Sequence, residues 1–152
     1  MSKKDWGNIS WILMHSLAQK VRENKFIDCK QILIRIIYDI CSNLPCPDCR
    51  EHAIKLLKTS NIHKISNKKQ LILFLCEFHN IVNKKLKKPT KKIEEVEKQY
   101  STAKLNMIVS IFFKVYNSVI YNEKMLADSF RRKIFLKKLF EDLIKLKPYI
   151  NH

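Results

Sequence analysis

Apolar residues recur at steps of three and four along most of the chain, and that period predicts helices from end to end. Trp11, Met14, His15, Ala18 and Val21 mark one face of a first helix, for which Asn8 or Ser10 is the candidate cap. A second helix is predicted from Asp28, as N-cap, to Asn43, with Ile32, Ile36 and Ile40 or Leu33, Ile37 and Cys41 facing inward. Its apolar stripe is wide, so it should be central. Pro45 and Pro47 suit the opening of a third helix, Asp48 to roughly Lys58, because proline has no N–H to lose in a first turn. A polar connection, Thr59 to Lys69, follows, with Ser66 or Asn67 capping a fourth helix from Lys68 to about Lys87. Beyond it, Leu105, Ile108, Val109, Phe112, Phe113, Tyr116, Val119 and Ile120 predict one more amphipathic face. Met125, Phe130, Ile134, Phe135, Leu139, Phe140, Leu143 and Ile144 predict another.

Composition narrows the function classes. With 152 residues, 46% of them hydrophobic, the chain can build one core and is expected to be one functional domain. Gly7 is the sole glycine, which excludes both a G-x-G-x-x-G turn and a P-loop. Any nucleotide must therefore be held by side chains and helix ends. The formal charge of +16 favours an anionic partner, whether nucleic acid, acidic membrane or phosphate-bearing cofactor, and equally describes a solvated lysine surface. Met1 to Asp5 lacks the pattern of a secretory signal, and the stretch from Leu105 is too short and too polar to span a membrane. The expected location is the cytoplasm. Phe-rich helices carrying lysines could also lie on a membrane surface.

Two polar clusters carry the chemistry. Cys46-Pro47-Asp48-Cys49 places two sulfurs at a helix start, where a small disulfide ring can close and the helix N-terminus stabilises a thiolate. The same spacing serves zinc. In the fourth helix His79, Asn83 and Leu86 share a face, with Asn80 three residues before Asn83. Asparagine in mid-helix gains nothing from burial unless paired, so either a polar group docks on this stripe or the stripe faces solvent.

Taken in order, Trp11-Ile-Leu-Met-His15-Ser-Leu-Ala18, Leu44-Pro45-Cys46-Pro47-Asp48-Cys49 and His79-Asn80-Ile-Val82-Asn83-Lys-Lys-Leu86-Lys-Lys88-Pro89, followed by Tyr100, resemble the Erv/ALR family of FAD-linked sulfhydryl oxidases. The likeness is greatest to the small forms of large cytoplasmic DNA viruses. It implies an all-α, Erv-type four-helix bundle with a short fifth helix in residues 1–101, and a C-terminal helical extension in residues 102–152, packed on the bundle or at an oligomer interface. By resemblance, Trp11, His15, Cys49, His79, Asn80, Asn83, Leu86, Lys88 and Tyr100 contact FAD, with Lys84 and Lys85 near the pyrophosphate. Cys46 and Cys49 would be catalytic: a dithiol protein substrate or thioredoxin-like carrier attacks Cys46, Cys49 faces the flavin, and O2 receives the electrons to give H2O2. The resemblance further implies a homodimer in the host cytoplasm or virion, with no nucleic acid and no metal. Against the family pattern, no second C-x-x-C occurs and Thr90 to Gln99 holds no cysteine to pair with Cys76, so Cys29, Cys41 and Cys76 are expected as buried thiols.

Two other classes fit parts of the sequence. Cys46, Cys49, Cys76 and His79 could supply four zinc ligands, and the basic surface could bind nucleic acid. Neither explains Trp11, His15, Asn80, Asn83 or Tyr100.

Overall fold

The computed structural model describes residues 3–118 and 126–151. Seven α-helices occur among them: α1 Lys3–Lys20, α2 Phe26–Ser42, α3 Pro47–Lys58, α4 Lys68–Lys85, α5 Ile93–Ser101, α6 Leu105–Asn117 and α7 Leu126–Leu146. The described residues contain no β-strand, only an isolated antiparallel bridge between Val21 and Ile150. The fold is all-α, as the periodicity predicts.

Helix α1 is the hub. It packs against α2, α4, α5 and α6, while α2 also meets α3 and α7. Leu13, Met14, Leu17 and Ala18 are buried along it, as is Val21 just beyond it, and so are the polar Ser10, His15 and Ser16. Both candidate faces of α2 are used, since Leu33, Ile36, Ile37, Ile40 and Cys41 are all buried and Ile32 is partly so. A wide stripe thus reflects a helix covered from several sides.

Helix starts differ from the predicted ones for local reasons. Helix α1 begins at Lys3, so Asn8 and Ser10 lie inside it; the Ser10 hydroxyl bonds back to the Trp6 carbonyl at 2.6 Å instead of capping. Helix α2 begins at Phe26, directly after a 3-10 turn over Glu23–Lys25, which leaves Asp28 in the first turn as a charge near the helix N-terminus. Asn67 does cap α4, its side chain accepting the Gln70 N–H at 2.8 Å. That helix ends at Lys85 because the backbone turns over, with Lys87 at a φ of 57°.

The C-terminal helices complete the core. Phe112 and Tyr116 of α6 are fully buried, stacked with ring centroids 4.3 Å apart, and Phe135 of α7 meets both edge-on. Val119, Ile120 and Met125 lie outside the described residues. The buried stripe of α7 is Phe135, Leu136, Leu139 and Leu146, whereas Phe130, Ile134, Phe140 and Ile144 are exposed. A polar residue shares that buried stripe: Asp142 is 2% exposed and takes two hydrogen bonds from Arg35 of α2, at 3.0 and 2.7 Å. A fork-on-fork ion pair of this kind lets a carboxylate face the core, which apolar periodicity alone does not reveal.

Candidate active site

Four aromatic rings converge from three helices. Trp11 lies on His79 with centroids 4.0 Å apart and planes 8° from parallel, and His15 lies on Tyr100 at 4.9 Å and 14°. The two stacks join through the imidazoles, His15 Nε2 to His79 Nδ1 at 3.1 Å. Phe78 supports Trp11 edge-on. Helix spacing explains the convergence: Trp11 and His15 are one turn apart on α1, Phe78 and His79 sit on α4 beside it, and Tyr100 ends α5 across both.

Both imidazoles are held neutral. Burial lowers the His15 pKa to about 3, helped by the charges of His79 and Lys91; burial lowers His79 to about 4, helped by Lys91 and Lys88. One ring therefore donates and the other accepts, leaving each a further nitrogen for another partner. Asn83, one turn beyond His79, is 9% exposed; its side-chain amide bonds to no other described residue, and its amide atoms are not sealed from solvent. That amide is left able to bond to a ligand or to water.

Asn80 is placed differently from its neighbours. Its amide donates to the Lys91 carbonyl at 2.7 Å and its oxygen accepts the Lys91 N–H at 2.9 Å. It fastens the segment after α4 to the helix. Lys91 in turn reaches Gln99 Oε1 at 2.7 Å, and its charge acts on both imidazoles. Lys91 is not marked by any motif; the signal for it in the sequence is Asn80, an asparagine in mid-helix that needs a backbone partner. Lys84, Leu86 and Lys88 are exposed along the same edge. Lys88 and Lys91, whose charges act on His79, make the side next to the rings cationic.

Cys46 is the N-cap of α3, its sulfur accepting the Cys49 N–H at 3.3 Å, and Pro47 takes the first helical position. Arg50 donates to the Leu44 carbonyl at 2.8 Å, securing the approach to the helix. Both sulfurs are partly exposed. The helix N-terminus and that N–H favour a thiolate at Cys46. Cys29, Cys41 and Cys76 are buried thiols, as expected. Burial pushes Cys29 up to about 11 and Cys41 up to about 12, and it raises Cys76 too, so none of them favours the reactive thiolate.

The four zinc donors do not converge. Cys76 is turned toward the Lys91 carbonyl at 3.7 Å, His79 lies against Trp11, and no metal-holding group of three or more His, Cys, Asp or Glu is found among the described residues. A tetrahedral Cys46-Cys49-Cys76-His79 centre has no geometric support.

The family model described as Erv1 / Alr matches residues 8–101, which hold both stacks, Asn83 and the cysteine pair. The chain belongs to the Erv1 / Alr family. Similar proteins include one from Invertebrate iridescent virus 3 named as an FAD-linked sulfhydryl oxidase, 32% identical over 64% of this chain and 66% of its own. A Variola virus protein of similar name is 32% identical over 53% of this chain and 81% of its own. The FAD-linked sulfhydryl oxidase ERV1 of Arabidopsis thaliana is 26% identical over 66% of this chain and 52% of its own. No solved structure gives a significant match. The Erv1 / Alr match ends where α5 ends, so α6 and α7 lie outside it.

Proposed function

We propose that this Erv1 / Alr protein is an FAD-dependent thiol oxidase that forms disulfides in a protein substrate or a thioredoxin-like thiol carrier, with O2 as final acceptor and H2O2 as product. The observation that supports it best is the four-ring cluster beside the unclaimed Asn83 amide, inside the segment the family shares. Flat faces suit a flat ring system, neutral imidazoles can hydrogen-bond it without a charge penalty, and the cationic edge suits a pyrophosphate. Trp11, His15, Cys49, His79, Asn83, Leu86 and Tyr100 would hold the ring end, and Lys84, Lys85 and Lys88 the phosphates. Asn80, engaged with Lys91, would position that edge. FAD, when bound, takes an electron pair from the dithiol and passes it to O2.

The protein's own steps are those of thiol–disulfide exchange. A substrate thiolate attacks Cys46 Sγ of a Cys46–Cys49 disulfide; an S–S bond forms between substrate and Cys46, and Cys49 leaves as thiolate. The second substrate thiol then attacks the substrate sulfur of that bond. Cys46 is expelled, and its N-cap position stabilises the departing charge. Substrate has lost two electrons and two protons, and the enzyme pair is now a dithiol. Returning it to the disulfide releases the same two electrons and protons, which balance the reduction of O2 to H2O2.

In the same reading residues 1–101 carry the chemistry, residues 102–152 complete the core, and the protein acts as a homodimer in the host cytoplasm or virion. No helix among the described residues is long and apolar enough to cross a membrane. The test is an absorption spectrum of purified protein together with oxygen consumption on adding dithiothreitol. A flavin band and thiol-dependent oxygen uptake are expected. Colourless protein with one zinc per chain, or flavin with no thiol-dependent uptake, rejects the proposal.

A further inference from the structure

The C-terminal helices and the end of α1 enclose a groove of about 780 Å³, built by none of the residues assigned above to thiol chemistry. Leu17 of α1, Leu105 and Val109 of α6, and Leu143, Leu146 and Ile150 at the chain's end form apolar walls. Phe140 and Ile144 also line it, although they are 54% and 49% exposed. Two backbone bonds fix the frame: the Arg22 N–H donates to the Tyr149 carbonyl and the Asn151 N–H to the Lys20 carbonyl, both at 2.8 Å. The space is therefore framed by paired backbone and not by loosely packed side chains.

Its polar lining has one sign. Lys20, Lys104 and Lys147 contribute ammonium groups, and no carboxylate is among the described residues that line it. Lys20 is anchored by a 2.9 Å bond to the Ser101 carbonyl. Where it lines the groove, α6 begins with Lys104 as N-cap and no side-chain cap, so its first N–H groups lack a side-chain acceptor. An apolar lining that holds three lysines and, among the described residues, no carboxylate selects a ligand with an apolar chain and an anionic end. The volume falls in the range of small-molecule sites, roughly 300–1,000 Å³. The homodimer proposed above is not placed on this groove, since its three lysines, with no carboxylate among the described lining residues, give a second lysine-rich copy no counter-charge there.

We propose that this groove binds a single-chain anionic amphiphile of the fatty-acid class, its hydrocarbon against α6 and α7 and its carboxylate among Lys20, Lys104 and Lys147. The proposal is independent of the thiol oxidase reading. It gives residues 102–152 a binding role that the family-matched segment does not contain.

Calorimetric titration of the full-length protein with decanoate, dodecanoate and tetradecanoate, each below its micellar concentration, tests it, with dodecanol as the uncharged control. Saturable one-to-one binding is expected, tightening about threefold per added methylene in a partly open groove. Joint Lys104→Glu and Lys147→Glu replacement should weaken dodecanoate at least tenfold and leave dodecanol unchanged. Ile144→Glu, at an exposed position that should leave the fold intact by circular dichroism, should weaken both ligands. No saturable binding, or binding that ignores both sets of replacements, overturns the proposal. So does association with anionic vesicles without binding of monomeric ligand, which would make this face a membrane surface. Ligand-independent dimerisation that Ile144→Glu abolishes would assign the groove to a second copy and overturn it equally.

Discussion

The indole of Trp11 lies flat on the imidazole of His79, 4.0 Å away and 8° from parallel. This contact joins α1 to α4 and sets the plane against which a flat cofactor can lie. Replacing His79 and Asn83 together by alanine removes one face of the stack and the unclaimed amide. Each buried hydrogen bond to a ligand contributes roughly 0.5–1.5 kcal/mol, so FAD retention should fall by about one to two orders of magnitude. Flavin content after gel filtration is the readout. Full flavin loading in the double variant would mean that the stripe does not hold the cofactor.

The cysteines divide by environment. Cys46→Ser and Cys49→Ser should each abolish thiol-dependent oxygen uptake while flavin stays bound, because the cycle needs two sulfurs and the change in size is small. Cys29→Ser, Cys41→Ser and Cys76→Ser should all retain turnover, since burial raises all three thiols away from reactivity. Cys41 is 2% exposed, and a hydroxyl there costs about 1–3 kcal/mol unless it finds a partner. Turnover by the Cys49→Ser protein would exclude the electron path.

The buried imidazoles tie stability to acidity. His15 and His79 titrate near 3 and 4 when folded, against 6.5 when exposed, so below about pH 6.5 the unfolded chain binds more protons than the folded one. Stability is then complete above that pH and declines as pH falls toward 4 and on to 3. Each imidazole contributes a slope of up to about 1.4 kcal/mol per pH unit, His79 over a narrower pH range and with more screening because it is less buried. Urea unfolding of cofactor-free protein at a series of pH values should show this loss, and His15→Gln should flatten it. An unchanged slope in that variant would place the acid sensitivity elsewhere.

Helices could be read from the sequence because their apolar period is strong, and the ring cluster because Trp11, His15, His79 and Tyr100 stand at family spacing. What escaped the reading involves pairing. The start of α2 at Phe26 depends on the preceding 3-10 turn and not on a capping side chain. The inward face of α7 could not be chosen by hydrophobicity, because Asp142 turns inward to meet Arg35 while Phe130 and Ile134 turn outward. Nor could Asn80 be separated from Asn83: two similar residues on one helix, of which only Asn80 is paired with the Lys91 backbone.

Arg35 and Asp142 also offer a direct measure of how firmly α7 is held. Arg35→Leu would leave a carboxylate that is 2% exposed facing apolar neighbours without its guanidinium. Breaking a buried pair in this way costs roughly 3–5 kcal/mol, a figure lowered here because Arg35 is 40% exposed and water can reach the site. Asp142→Asn together with Arg35→Leu should be milder than Arg35→Leu alone, since the stranded charge is gone. Equal losses in the single and double variants would show that the pair contributes little.

Ser10 and Tyr116 give the sharpest test of the union between α1 and α6. The single hydroxyl hydrogen of Ser10 goes to the Trp6 carbonyl, so in the 2.6 Å contact with Tyr116 the tyrosine must donate. The two deletions are therefore unequal. Tyr116→Phe removes a donor and leaves Ser10 still bonded to Trp6, a loss of about 1 kcal/mol. Ser10→Ala strands a fully buried phenolic O–H and should cost about 1–3 kcal/mol. Combining the two should bring stability back toward that of Tyr116→Phe alone, because no donor is left unpaired. Denaturant midpoints of the three variants decide it. A double variant as unstable as the sum of the singles would mean that the hydroxyls act independently and that α6 is held on α1 by ring packing alone.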